Sequence, residues 1–136
     1  MKFLIPKYAC DTNCCWVYPI SYGGGLVEGD EINIDINVEE YCAAVITTQE
    51  STKVFECNNN LKTKQVMRYS VRKGGLLCVL GDPVVCFKDA DFSQIQVVKM
   101  SHGSSLVLLD LISAGRIARG ECWQFTRYLV SIAHTF

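Results

Sequence analysis

The sequence has no surplus of charge, no long hydrophobic run and very little imidazole, and each shortage closes a class of function. Thirteen basic residues stand against fourteen acidic ones, a net charge of −1, which leaves no electrostatic footprint for nucleic acid or for an anionic membrane surface. The longest aliphatic run, residues 106–109, stops at Asp110, far too short to cross a bilayer. Residues 1–5 begin like a signal peptide, but Pro6 and Lys7 end the apolar stretch, so a cytoplasmic location is expected. Only His102 and His134 are available as imidazole ligands, and the eight cysteines include no C-x-x-C pair, so no zinc pattern is present. Cys10, Cys14 and Cys15 form the one tight thiol cluster. It keeps open the alternative of a thiol-rich metal-binding protein, while the other cysteines are expected to be reduced packing residues.

What remains is 136 residues with 49% apolar and 20% charged side chains, one domain with enough apolar surface for a core. Residues 31–38 alternate polar and aliphatic without a break, which predicts a strand with one wet face. Further strands are expected at 42–48 and 53–55, followed by a turn at the three asparagines 58–60. Residues 64–71 alternate again, with Gln65, Met67, Tyr69 and Val71 sharing one side. Residues 76–80 are apolar enough to predict burial on both faces. Residues 92–100 and 104–111 read as a strand pair around His102-Gly103, and 123–132 as a last strand. Helical periodicity is weak, with a short helix at 109–114 the best candidate. The fold class is all-β.

Three segments are more specific than generic sheet. Residues 22–30, Tyr-Gly-Gly-Gly-Leu-Val-Glu-Gly-Asp, fit no phosphate loop, because neither Gly-Lys-Ser/Thr nor a helix follows. A turn passing close to a neighbouring backbone is the physical reading, with Asp30 either capping it or facing a cavity. Residues 47–52 carry Thr47, Thr48, Gln49, Ser51 and Thr52, either a polar sheet face paired across strands or the wall of a wet passage. No serine nucleophile is credible there, since elbow glycines and a histidine base are missing. In residues 114–121, Arg116, Arg119 and Glu121 form either an internal ion pair or a carboxylate lining a site.

Taken in order, these segments resemble the urease accessory protein UreD (UreH) family. The matching stretches are 22–30; Thr-Thr-Gln-x-Ser-Thr-Lys-Val-Phe at 47–55; Gly-Gly-Leu-Leu at 74–77; Asp-Pro-Val-Val-x-Phe at 82–87; Asp-Ala-x-Phe at 89–92; and Gly-Arg-x-Ala-Arg-Gly-Glu at 115–121. The resemblance implies stacked antiparallel or mixed sheets of β-helical type with one or two short helices. It also implies a longer chain, so the stack is expected to be incomplete at its C-terminus. Gly81 and Cys86 stand where the family usually has proline, which touches local turn geometry only.

The resemblance further implies a maturation chaperone, not an enzyme. It would bind apo-urease and UreF, meet UreG through UreF, belong to a complex that can itself be a homo-oligomer, and hold no tight cofactor. Nickel(II) would pass through it in an internal tunnel. Imidazole and thiolate would trap nickel, whereas hydroxyls, amides and isolated carboxylates hold a hydrated cation loosely enough to release it. On that basis Asp30 and Glu121, then Asp89, with Thr48, Ser51 and Gln49, are the expected lining. A β-rich interaction module with no metal role is the other alternative.

Overall fold

A computed structural model of the chain describes residues 1–7 and 14–136. Cys10, one member of the thiol cluster, lies outside them. The strands are β1 (Lys2–Leu4), β2 (Cys14–Ile20), β3 (Glu31–Val38), β4 (Ala43–Thr47), β5 (Thr52–Val54), β6 (Thr63–Val71), β7 (Leu76–Leu80), β8 (Val84–Cys86), β9 (Asp91–Met100), β10 (Ser105–Leu109), β11 (Ile112–Ser113) and β12 (Arg127–Thr135). Single 3₁₀ turns at Tyr22–Gly24 and Ile117–Arg119 are the only helical elements among the described residues.

The strands recur in a fixed rotation and build a three-sided β-solenoid. One sheet runs β1-β2-β4-β7-β10, a second β11-β8-β5 and a third β12-β9-β6-β3. All pairings are parallel except β1 with β2. The sheet containing β1 is therefore the mixed one of the expected β-helical stack, and the other two are wholly parallel. Registers carry through the stack: Glu31 pairs with Lys64, Lys64 with Ser93 and Ser93 with Leu129. Each coil thus leans on its neighbours, as in other solenoids.

The alternation at 31–38 appears as β3, with Glu31, Asn33, Asp35 and Asn37 exposed and Ile34 and Val38 buried. The expected pairing of 92–100 with 104–111 does not occur. β9 and β10 lie in different sheets, because the turn between them rounds a corner of the solenoid. Ser104 N and Oγ both donate to Ser101 O, at 3.1 and 2.6 Å, and Gly103 takes φ 72°. Strand periodicity is the same for a hairpin and for two sides of a solenoid, so the sequence did not separate them. The helix expected at 109–114 is replaced by β11, and the last strand begins at Arg127 instead of 123. Nor is β7 buried on both faces. Leu77 is buried but Leu76 and Leu80 are exposed, since only the lumen side of a solenoid wall is covered.

Two apolar clusters fill the lumen. Ile34, Val38, Met67, Tyr69, Val71 and Val98 of the third sheet meet Ile46 and Leu77 of the first. Leu26, Val54, Val84, Cys86, Ala90 and Phe92 form the other, next to the short sheet. Glycine closes the first coil. Leu26 N donates to Lys53 O and Phe55 N to Leu26 O, both at 2.8 Å. That approach needs Gly25, where a Cβ would lie 2.5 Å from Phe55 Cε2 and 2.7 Å from Lys53 O.

Candidate functional site

Between the apolar clusters the lumen turns polar. Gln65, Gln94 and Gln96 project inward from β6 and β9, in the same alternation that points Met67, Tyr69 and Val98 inward. Facing them is a corner that recurs coil by coil: Ser21 after β2, Thr47 and Thr48 at and after the end of β4, Gly81 and Asp82 after β7, Asp110 after β10. Thr47 Oγ1 donates to Leu80 O at 2.6 Å. Thr48 Oγ1 donates to Asp82 Oδ2 at 2.9 Å and accepts from Asp82 N at 2.8 Å. These bonds tie successive corners together and leave a cavity of about 120 Å³ between corner and glutamines.

Two carboxylates line this cavity, Asp82, which is bonded to Thr48, and Asp110. Asp110 is exposed along one side, yet its Oδ2 accepts from Gln96 Nε2 at 3.1 Å, and Gln96 is 2% exposed. Burial raises the Asp110 pKa above the usual carboxylate value, and hydrogen bonds from Tyr128 and Gln96 partly offset that. Burial, with the nearby Asp110 charge second, also raises the Tyr128 hydroxyl. Gln94 Oε1 is buried without a hydrogen-bond partner, an acceptor left open toward whatever enters.

A second cavity of about 170 Å³ adjoins the first and is lined by Gln49, Glu50 and Ser51. The two share Pro19, Ser21, Thr48 and Thr52 in their linings. Among the expected residues, Thr48, Gln49 and Ser51 are therefore brought together at one mouth. Asp30, Asp89 and Glu121 are elsewhere. Asp30 Oδ2 accepts from Val27 N at 2.9 Å and closes its own turn. Asp89 is exposed at φ 61°; its N donates to Gln124 O at 3.0 Å and its carbonyl accepts from Cys57 N at 3.2 Å. Glu121 accepts from Arg116 Nε at 2.8 Å, from Arg116 Nη2 and from Lys88 N at 3.2 Å. Its pKa is lowered, first by the Arg116 hydrogen bonds. Arg116 lies 4.0 Å from the centre of the Phe87 ring, so the segment at 114–121 is a braced loop.

Among the described residues no three His, Cys, Asp or Glu side chains converge as metal ligands would. Cys14 and Cys15 are consecutive in β2 and point to opposite faces. Packing accounts for fewer thiols than expected. Cys86 is buried and its pKa is pushed up to about 12, by burial first, but Cys15, Cys42 and Cys122 are exposed. Asp110, Gln94 and Gln96 escaped the sequence reading, although a signal existed: glutamines at lumen positions between Phe92 and Val98, and an aspartate ending an aliphatic run. No helix of the described residues is long and apolar enough to cross a membrane.

Comparison with known proteins gives one consistent result. The family model described as UreD urease accessory protein matches residues 1–133. The chain is 42% identical over 130 residues to urease accessory protein D of Arabidopsis thaliana, covering 94% of this chain and 44% of that one. It is 44% identical over 128 residues to urease accessory protein UreD of Sorangium cellulosum, covering 94% and 40%. For urease accessory protein D of Oryza sativa subsp. indica the identity is 38% over 130 residues, covering 94% and 42%. The chain spans about two fifths of the length of these curated relatives.

Proposed function

Because the chain belongs to the UreD family of urease accessory proteins, we propose that it serves urease maturation as a non-catalytic scaffold that guides nickel(II) as cargo. The observation that supports this reading is the oxygen-lined lumen. Two adjoining cavities share Thr48, Thr52 and Ser21, and the inner one ends on Asp110. Nickel enters past Thr48, Gln49, Glu50 and Ser51, exchanges part of its hydration for hydroxyl and amide oxygens, and meets separate carboxylates at Glu50, Asp82 and Asp110. Neutral oxygens bind a divalent ion weakly at several stations, so the ion is passed on and not retained. Gln94 Oε1 supplies an open acceptor on that route.

In this reading Asp30 and Glu121 hold the turns that frame the lumen, and Asp89 shapes the turn leading into β9. The scaffold bridges apo-urease to UreF, and UreF brings the nickel-carrying UreG. The test is complementation. A full-length relative carrying the changes equivalent to Thr48→Val with Asp110→Asn is expressed in cells lacking their own copy. Nickel per urease and urea hydrolysis are expected to fall together while the accessory complex still assembles. Unchanged nickel loading would refute the route. Asp30→Ala and Glu121→Ala, run alongside, report whether those carboxylates also meet the ion.

A further inference from the structure

We infer that Gln96 is a positioning residue for the nickel route: its side-chain amide turns the Asp110 carboxylate toward the lumen without cancelling its charge. The inference rests on the route proposed above and names the group that makes one of its carboxylates usable. Gln96 Nε2 donates to Asp110 Oδ2 at 3.1 Å. That bond crosses the lumen, from β9 in the third sheet to the corner after β10 in the first. It differs in kind from the bond of Asp30 to Val27 N, which closes a single turn.

An aspartate side chain has three staggered χ1 wells, and a fixed partner selects among them. Gln96 is such a partner. It lies within β9, and both it and its register neighbour Met67 on β6 are buried, so close packing holds its rotamer. The sense of its amide is set as well. An ionised carboxylate only accepts hydrogen bonds, so the NH2 end faces Asp110.

The kind of donor matters. Glu50 stands 3.8 Å from Lys53, and Glu121 is held by Arg116; a cation places a carboxylate and offsets its charge in one act. Among the described residues no cation forms an ion pair with Asp110. An amide orients by a hydrogen bond and carries no net charge, and the Tyr128 hydroxyl, the other donor to Asp110, is neutral too. Asp110 therefore keeps its attraction for a divalent ion while its direction is set. Partners that orient a metal-binding side chain typically contribute about 10–100-fold in metal affinity.

The experiment titrates the 136-residue chain with nickel(II) chloride and follows proton–nitrogen NMR spectra, in which the paramagnetic ion broadens amides near its stations. Signal dispersion reports the fold of each variant. In the parent the Asp110 and Leu111 amides are expected to broaden, and in Asp110→Asn they should need far more nickel. Gln96→Met keeps the side-chain volume and removes the donor; about tenfold more nickel is expected for equal broadening. Gln96→Asn, whose donor falls one methylene short, should behave alike. Combining Gln96→Asn with Asp110→Glu moves that methylene to the other partner and restores the reach, returning the nickel requirement to within about threefold of the parent. A glutamine that merely filled the lumen would not be rescued in this way. Parent-like broadening in Gln96→Met and Gln96→Asn, or a double variant no better than Gln96→Asn, overturns the inference, and the route stands if Asp110→Asn has lost its nickel. A parent without broadening at these amides, or unaltered broadening in Asp110→Asn, overturns the route and the inference together.

Discussion

Gly25→Ala is expected to destabilise the chain more than Gly24→Ala, although the two residues are neighbours in the same glycine run. At Gly24 an added Cβ meets nothing within 4 Å, but φ is +74°, so the cost is the left-handed backbone alone, about 1–2 kcal/mol. At Gly25 the backbone is extended, with φ 171°, and the cost is steric. The methyl would sit 2.5 Å from Phe55 Cε2 and 2.7 Å from Lys53 O. Relief requires moving the β5 backbone away from Leu26. That strains both 2.8 Å hydrogen bonds of the bridge, each contributing about 0.5–1.5 kcal/mol. Overpacking beside the ring adds about 1–3 kcal/mol, for a total of roughly 2–6 kcal/mol. For a chain of this size a loss in that range lowers Tm by about 7 °C or more. Urea and thermal unfolding followed by circular dichroism give both numbers. A Gly25→Ala cost no larger than that of Gly24→Ala, or within about 0.5 kcal/mol of zero, would refute the close-approach argument.

Opposite pH slopes are expected at two carboxylates. Asp110 has a raised pKa, so the folded state holds its proton to higher pH than the unfolded chain. Its ionisation lowers stability as pH rises through the folded value. Asp110→Asn is therefore expected to match the parent in acid and exceed it at neutral pH, by at most about 1 kcal/mol because solvent screens its open side; a gain confined to acid would contradict this. Glu121 has a lowered pKa, so its contribution is present above the unfolded carboxylate value and lost as pH falls. The penalty of Glu121→Gln should shrink toward zero in acid, read from urea midpoints across pH. Gln94→Leu removes the buried unpaired acceptor and should raise stability by about 1 kcal/mol, whereas a loss would mean that Gln94 has a partner in solution. Phe92→Ala empties a fully buried site against Tyr128 and should cost about 3–5 kcal/mol by the same unfolding assay.

Local strand character was legible in the sequence, and three-dimensional order was not. Residues 31–38 and 64–71 announced strands because one face of each is wet, and that alternation survives in β3 and β6. The same alternation could not say whether β9 and β10 pair or occupy adjoining walls, since inward and outward positions alternate in either case. The glycine run was legible as a close backbone approach, because no other residue type permits one at Gly25. For the site, Thr48, Gln49 and Ser51 could be grouped because they are contiguous. Asp110, Gln94 and Gln96 come from separate strands and corners, and only the coil register brings them to one cavity. Asp30 and Glu121 drew attention through their motifs, and both are held by hydrogen bonds within their own loops.

The registered stacking of coils gives damage in this molecule a geography. Among the described strands, a rung with one neighbour can be lost without parting the others. A lesion in β6 or β7, which carry rungs on both sides, cuts the pile in two, and neither piece keeps the whole lining of the cavity. Amide exchange in this chain should therefore be slower in β6 and β7 than in strands with one neighbour. Engineered changes in β6 or β7 should lower the stability of the fold more than equally large changes in a strand with one neighbour.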